Sequence, residues 1–237
     1  MFPRLPRPRL FRIAGIDVYL DLGWFIAIVY LISQRKGEYS SILWSAAECL
    51  LLFLIVLLHE FGHSLACRQV GGTANRIVLW PLGGVAYATP PPRPGALLWT
   101  IAAGPLVNVV LLPVFFMLVL ATRGWEESAP DARHLAVMLF RIDLGLLIFN
   151  ILPIYPLDGG QILHALLWFW LGFKRGLLAA IRVGVAGGLG LLGLAVWAGD
   201  WWLGLIALFI LSRCWQSYQQ ARMISQLENP QRGTPPV

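Results

Sequence analysis

The sequence predicts an all-α polytopic membrane protein of about six transmembrane helices, with a small membrane-associated β-hairpin. Three observations lead there. Of 237 residues, 58% are hydrophobic and only 13% are charged, whereas a soluble domain carries about 25% charged residues. Apolar runs close to the roughly 20 residues needed to cross a bilayer recur along the chain. The Lys and Arg residues sit between those runs, so the net charge of +6 reads as a topology signal, and no nucleic-acid partner is expected.

Taken in order, residues 1–15, MFPRLPRPRLFRIAG, are expected to form a cytoplasmic N-terminal arm. The arm is basic but lacks the apolar core and cleavage site of a signal peptide. A single transmembrane domain then runs over residues 16–218, followed by a cytoplasmic tail, residues 219–237. Its spans are expected at residues 16–33, 42–68 and 95–121. A fourth begins near residue 132, breaks at Pro153 and Pro156, and resumes to residue 172; the last two are residues 176–198 and 201–218. With the N-terminus inside, the cytoplasmic side receives Arg4, Arg7, Arg9, Arg12, Arg68, Arg76, Arg93, Lys174, Arg175, Arg213, Arg222 and Arg232. The other side receives Arg35, Lys36, Arg123 and Arg133, with Arg141 just inside the fourth span. The excess places both termini in the cytoplasm. The setting expected is a bacterial or archaeal cell membrane.

Two interruptions break the helical pattern. In NRIVLWPLGGVAYAT, residues 75–89, Ile77, Leu79, Val85 and Tyr87 alternate around Gly83 and Gly84, which predicts a short hairpin. Pro81 predicts an edge position for its strand, and PPPRPG after it is a stiff connector. In NILPIYPLDGGQ, residues 150–161, two prolines and two glycines break a helix at membrane depth. Backbone of that kind is tolerated only inside protein or beside a water-filled cavity. Cys49, Cys67 and Cys214 are scattered without a C-x-x-C pair and read as small buried residues rather than a disulfide.

The chemistry concentrates in LIVLLHEFGHSLA, residues 54–66. Each ionisable group near a bilayer centre costs about 2.5–3.5 kcal/mol on insertion scales, and here three occur within five residues. His59 and His63 are four apart, on one helix face. That spacing lets both imidazoles bind one zinc ion, with Glu60 beside the open position as general base. A catalytic zinc takes a third protein ligand. The candidates are Asp17, Asp21, Glu48, Asp143, His164 and Asp158. Asp158 is favoured because the broken segment and Gly159-Gly160 let the backbone bring its carboxylate in; His164 is second. Interfacial position accounts for Asp17 and Asp143 and extends to Asp21, while Glu48 has no account at this level. Trp80, Trp99, Trp125, Trp197, Trp201 and Trp202 fall near span ends as interfacial anchors. Gly184, Gly187, Gly188, Gly190 and Gly193 mark close helix packing in the fifth span, with a gate beside the site as a lesser alternative.

HEFGH at 59–63, followed by N-x-x-P-x-x-x-L-D-G as Asn150, Pro153, Leu157, Asp158 and Gly159, resembles the site-2 protease family of intramembrane zinc metalloproteases. PLGGVA at 81–86 and GPLVN at 104–108 resemble further family elements. The resemblance implies one zinc ion on His59, His63 and Asp158, Glu60 as catalytic acid/base, and cleavage of a membrane-anchored protein substrate in the lipid bilayer. Members of the family often carry a PDZ, CBS or other regulatory domain. None is recognisable in this chain, so restraint by a separate regulatory protein is an open expectation. Asn108 and Asn150 are candidates for oxyanion stabilisation or substrate backbone, and equally for hydrogen bonds between helices. The hairpin, through Gly83, Gly84 and Val85, is a candidate edge for β-addition of an unwound substrate. His59 lies about nine residues from the cytoplasmic end of its span, roughly 13 Å along a helix, which points to cleavage towards that side. A metal transporter or a catalytically silent membrane-segment binder is the rival reading. A transporter would show coordinating residues along a path, often in repeated halves, and a silent relative would have lost Glu60 or a ligand.

Overall fold

The computed structural model describes residues 8–34, 37–80 and 83–228. Arg4, Arg7, Arg35, Lys36, Pro81 and Arg232, which entered the expectations about topology and strand edges, lie outside them. The elements, in chain order, are β1 (Arg9–Ile13), β2 (Ile16–Leu20), α1 (Gly23–Gln34), α2 (Ile42–Gln69), β3 (Thr73–Trp80), β4 (Gly83–Thr89), α3 (Pro94–Ala121), α4 (Pro130–Ile151), α5 (Asp158–Ala198) and α6 (Trp201–Glu228). Of these six helices, α2, α3, α4 and α5 are long and apolar enough to cross a membrane. The chain divides into two compact units, residues 1–149 and residues 150–237.

The first unit holds a four-stranded sheet in the order β1-β2-β3-β4. The sheet is larger than the expected hairpin because the chain ahead of α1 is also extended. β1 turns back through Ala14 and Gly15, both at positive φ, onto β2, and β2 runs parallel to β3. In IDVYL the odd positions are buried and the even ones half-buried, the period of a strand with one face on a core. The expected first span at residues 16–33 therefore divides into a strand and a 12-residue helix, about 18 Å long and short of a bilayer core. The hairpin is present as β3 and β4, paired antiparallel from Thr73↔Thr89 to Trp80↔Gly83. Its first strand is interior to the sheet rather than at an edge, since β2 occupies its other side. β4 is the edge.

Ile16, Val18, Leu20, Ile77 and Leu79 from the sheet pack with Trp24 of α1 and with Val56 and Leu57 of α2 as one core. This fixes α2 against the sheet. On its other side α2 meets α3 closely. A Cβ on Gly62 would stand 2.6 Å from the Ala103 carbonyl oxygen and 2.9 Å from Val107 Cγ2. Small residues of this kind let helix backbones approach in membrane proteins. Arg68, in the last turn of α2, donates to the carbonyls of Ala14 and Gly15 and to Asn75 Oδ1, joining the β1–β2 turn to the helix end.

The second unit contains the broken segment, α5 and α6. Residues 152–157 fold as tight turns, with Ile154 N donating to Leu152 O at 2.7 Å and Leu157 N to Ile154 O at 2.9 Å. The resumed part of the fourth expected span and the fifth expected span meet at Gly172, close to where the sequence reading divided them. Residues 158–198, taken together as α5, are two helical stretches that meet at Gly172, whose φ of 77° and ψ of 165° are non-helical and suit glycine. Three of the five glycines in its second half mark close approaches: Gly184 against Tyr155, Gly187 against Ile154 and Gly188 against Leu211. Gly190 and Gly193 have nothing within 4 Å of an added Cβ. α6 continues past Tyr218 to Glu228, so the expected tail is in part helical. The three cysteines are buried and none forms a disulfide, as expected.

Gly62→Ala forces α2 and α3 apart. Overpacking of this kind costs about 1–3 kcal/mol, and a lowered thermal midpoint in detergent, set against an unchanged Gly190→Ala control, checks it.

Candidate metal centre

α2 places His59, Glu60 and His63 at 6%, 7% and 7% exposure, so the offsetting contacts must come from protein. His63 Nδ1 lies 2.9 Å from the carbonyl oxygen of Thr100 on α3. A carbonyl only accepts, so Nδ1 carries the proton and donates. His59 Nδ1 lies 2.6 Å from Asn108 Oδ1, also on α3. Asn108 Nδ2 in turn donates to Asp143 Oδ1 of α4 at 2.6 Å. That bond orients the amide so that its oxygen faces the imidazole, and His59 Nδ1 is also the donor. Each Nε2 then presents its lone pair, and the two lie 3.1 Å apart. With neither carrying a proton, this is not a hydrogen bond between rings.

The spacing fits a shared cation. Two nitrogens at about 2.0–2.1 Å from a tetrahedral zinc would stand roughly 3.3 Å apart. Each ring offers its Nε2 lone pair while its other nitrogen is held by an acceptor, the arrangement that fixes tautomer and direction in metal-binding histidines. Gly104 of α3 makes room for it. A Cβ there would run into the His63 ring and stand 2.9 Å from His59 Nε2.

Glu60 is held from the sheet. Its Oε2 accepts from Ala86 N of β4 at 2.8 Å. Ala86 pairs opposite Ile77, and its N–H points away from β3, so the outer edge of β4 is turned towards the Glu60 carboxylate. Gly84, two residues earlier on the same side of the strand, lies flat against the Glu60 side chain, where a Cβ would stand 2.6 Å from Oε1. Gly83 and Val85 sit beside it in β4, paired with Trp80 and Val78.

In the second unit, Asp158 is buried and opens α5. Gly159 and Gly160 press on the backbone of residues 151–155, so the broken segment folds directly over this first turn. Asn150 is half-buried in the last turn of α4. His164 is engaged elsewhere in that unit. Its Nε2 lies 3.2 Å from the Phe173 carbonyl oxygen, and its ring stacks on Trp168 at 5.9 Å, beside the Gly172 kink.

The other acidic candidates have local explanations. Asp17 pairs with Arg9 at 3.3 Å and Arg12 at 3.8 Å. Asp21 Oδ1 accepts from Gly23 N at 3.0 Å, at the start of α1. Glu48, unexplained from sequence, accepts from the buried Tyr39 hydroxyl at 2.7 Å. Residues around Tyr39 bind α4: Ser40 donates to Asp131, and His134 Nε2 lies 3.3 Å from Glu38 Oε2. Asp143 is a correction. It is not interfacial but 0% exposed, and its partner is Asn108. The sequence signal for it existed: an ionisable residue inside an apolar span marks a functional position by default.

Comparison with known proteins agrees with this geometry. The pattern defining Peptidase family M50 matches residues 47–129 and 125–191, which include His59, Glu60, His63, Asn108, Asp143 and Asp158. A zinc metalloprotease of Methanocaldococcus jannaschii is 34% identical over 176 residues, 74% of this chain and 50% of that protein. Stage IV sporulation protein FB of Bacillus subtilis is 31% identical over 156 residues, 64% of this chain and 48% of that one. The chain thus spans about half the length of these relatives. The solved structure of a site-2 protease from Methanocaldococcus jannaschii superposes with a TM-score of 0.64 at 29% identity, covering 90% of this chain and 95% of that one.

Gly104→Ala pushes the two imidazoles off a common ion. The expected result is a lower zinc-to-protein ratio by metal analysis at unchanged helical content. Apolar spans, a zinc-spaced histidine pair and the matches to known proteins converge, and the chain belongs to Peptidase family M50, the site-2 protease family.

Proposed function

We propose that the chain is an intramembrane zinc metalloprotease that hydrolyses a peptide bond within or near a transmembrane segment of a membrane-anchored protein, in regulated intramembrane proteolysis. The observation that carries this is the pair of Nε2 atoms 3.1 Å apart, with Glu60 beside His59, in a buried stretch of an apolar 28-residue helix. The third donor is Asp158. Its support is the N-x-x-P-x-x-x-L-D-G motif it completes, its burial at the head of α5, and the engagement of the alternative, His164, with Phe173.

Zinc bound there would lower the pKa of its water to about 7 and polarise the scissile carbonyl. Glu60 takes the water's proton and delivers it to the leaving amine, and the Ala86 N–H holds its carboxylate in place for both transfers. Thr100 and Asn108 hold the two imidazoles, and for Asn108 this positioning role is preferred to substrate binding because both ends of its amide are engaged. Asn150 remains assigned to substrate or oxyanion contact. The substrate, unwound from its own helix, adds to the outer edge of β4 at Gly83, Gly84 and Val85, beside Glu60. Both termini are cytoplasmic by the positive-inside count, and cleavage lies towards that side.

Glu60→Gln is expected to reduce cleavage of a membrane-anchored substrate by about 10²–10⁴-fold at unchanged zinc content, while Asp158→Ala loses both. A transporter would instead keep metal flux in the Glu60→Gln protein, and that result would overturn the protease reading. A proline at Ala88, whose N–H shares the outward side of β4 with that of Ala86, should weaken peptide cleavage and leave zinc bound. Equal loss of zinc and cleavage would count against strand addition.

A further inference from the structure

We infer that Asp143 is a positioning residue for the metal centre: acting through the Asn108 side chain, it sets which ring nitrogen of His59 carries the proton. The inference rests on the zinc reading above and concerns residues of the first unit only.

The two histidines of α2 are held in different ways. His63 faces a backbone carbonyl, that of Thr100. Such a group accepts and never donates, so the tautomer of His63 is fixed by the chain itself. His59 faces a side-chain amide. A carboxamide has an oxygen that accepts and a nitrogen that donates, nearly equal in shape. Turned one way, it takes the Nδ1 proton and leaves Nε2 bare for a metal. Turned over, its nitrogen donates to Nδ1, the proton moves to Nε2, and the metal-binding lone pair is gone. Asn108 by itself therefore does not specify the tautomer that binds zinc.

Asp143 supplies the missing instruction. Its Oδ1 accepts from Asn108 Nδ2 at 2.6 Å, and an accepting carboxyl oxygen takes the nitrogen end of an amide. The nitrogen end must point to Asp143 and the oxygen end to His59. Asp143, Asn108 and His59 come from three helices, α4, α3 and α2, and the first two are wholly buried. Burying an aspartate costs more than one hydrogen bond to an amide returns, so stability does not account for its presence. Orientation of the amide does. A side-chain chain of this kind also raises the basicity of the ring nitrogen that faces the metal.

The test measures zinc affinity of the purified full chain in detergent by chelator competition, alongside the absorption of the cobalt-substituted protein and the thermal midpoint of the metal-free form. Asp143→Ala is expected to bind zinc about 10–100-fold more weakly, the range for loss of a group supporting a metal-binding histidine. Its cobalt spectrum at saturation should change, and its metal-free midpoint should not fall. Asp143→Asn can turn its own amide oxygen to Asn108 and is expected to recover most of the affinity. The exchanged pair Asn108→Asp with Asp143→Asn keeps an acceptor on His59 Nδ1 and should bind zinc within a few-fold of the parent. Unchanged affinity and cobalt spectrum in Asp143→Ala would overturn the inference. So would equal losses in Asp143→Ala, Asp143→Asn and the exchanged pair, which would make the residue a packing element; if Asp143→Ala does not fold, the other two proteins decide between these results. A parent chain that binds no zinc would instead sink the protease reading.

Discussion

Three ionisable side chains on one apolar helix must each be given a protein partner, and the packing of the first unit follows from that requirement. His59 is met by Asn108, His63 by the Thr100 carbonyl and Glu60 by the Ala86 N–H. Two of these partners belong to α3 and one to β4. Helix α2 must therefore lie within hydrogen-bond reach of a second helix on one side and a strand on another. Distances of that order between backbones leave no room for a Cβ at the contact points, and glycine stands at each of them: Gly62 and Gly104 at the α2–α3 contact, Gly84 against Glu60. The cost of placing polar groups in an apolar span is offset by the same contacts that aim them.

The sheet has a part in this beyond holding the core. Its inner strands bury Ile16, Val18, Ile77 and Leu79 against α1 and α2, which fixes the height of β4 along α2. β4, at the edge of the sheet, sets one N–H on the Glu60 carboxylate. An edge strand exposes unpaired backbone groups that invite another chain. Here that edge sits beside the Glu60 carboxylate.

Polar anchoring also occurs towards the other end of α2. Glu48 is buried but accepts from Tyr39, and the residues around Tyr39 engage Asp131 and His134 of α4. The α1–α2 connection is thereby held to the start of α4 by polar contacts, separate from the histidine pair. Glu48 needs no catalytic role to explain its burial.

What was legible in the sequence was what depends on local pattern. Spans α2 and α3 were placed within a residue or so because uninterrupted apolar runs set their length, and the hairpin showed in its alternation about two glycines. The histidine pair and Glu60 were legible because i, i+4 spacing alone puts both rings on one face. Other features required the folded chain. Residues 16–20 are as apolar as a span start, yet they became a strand because β3 lay alongside to pair with it, a contact across more than 50 positions that no local window contains. Prolines 153 and 156 announced one break and the gap between residues 172 and 176 a second, but the positive φ that Gly172 adopts there belongs to the folded chain. Asp143 looked interfacial from its place in the chain. Only packing set it at 0% exposure against Asn108, because the identity of a hydrogen-bond partner is decided by which helix faces meet, and sequence spacing carries no record of that.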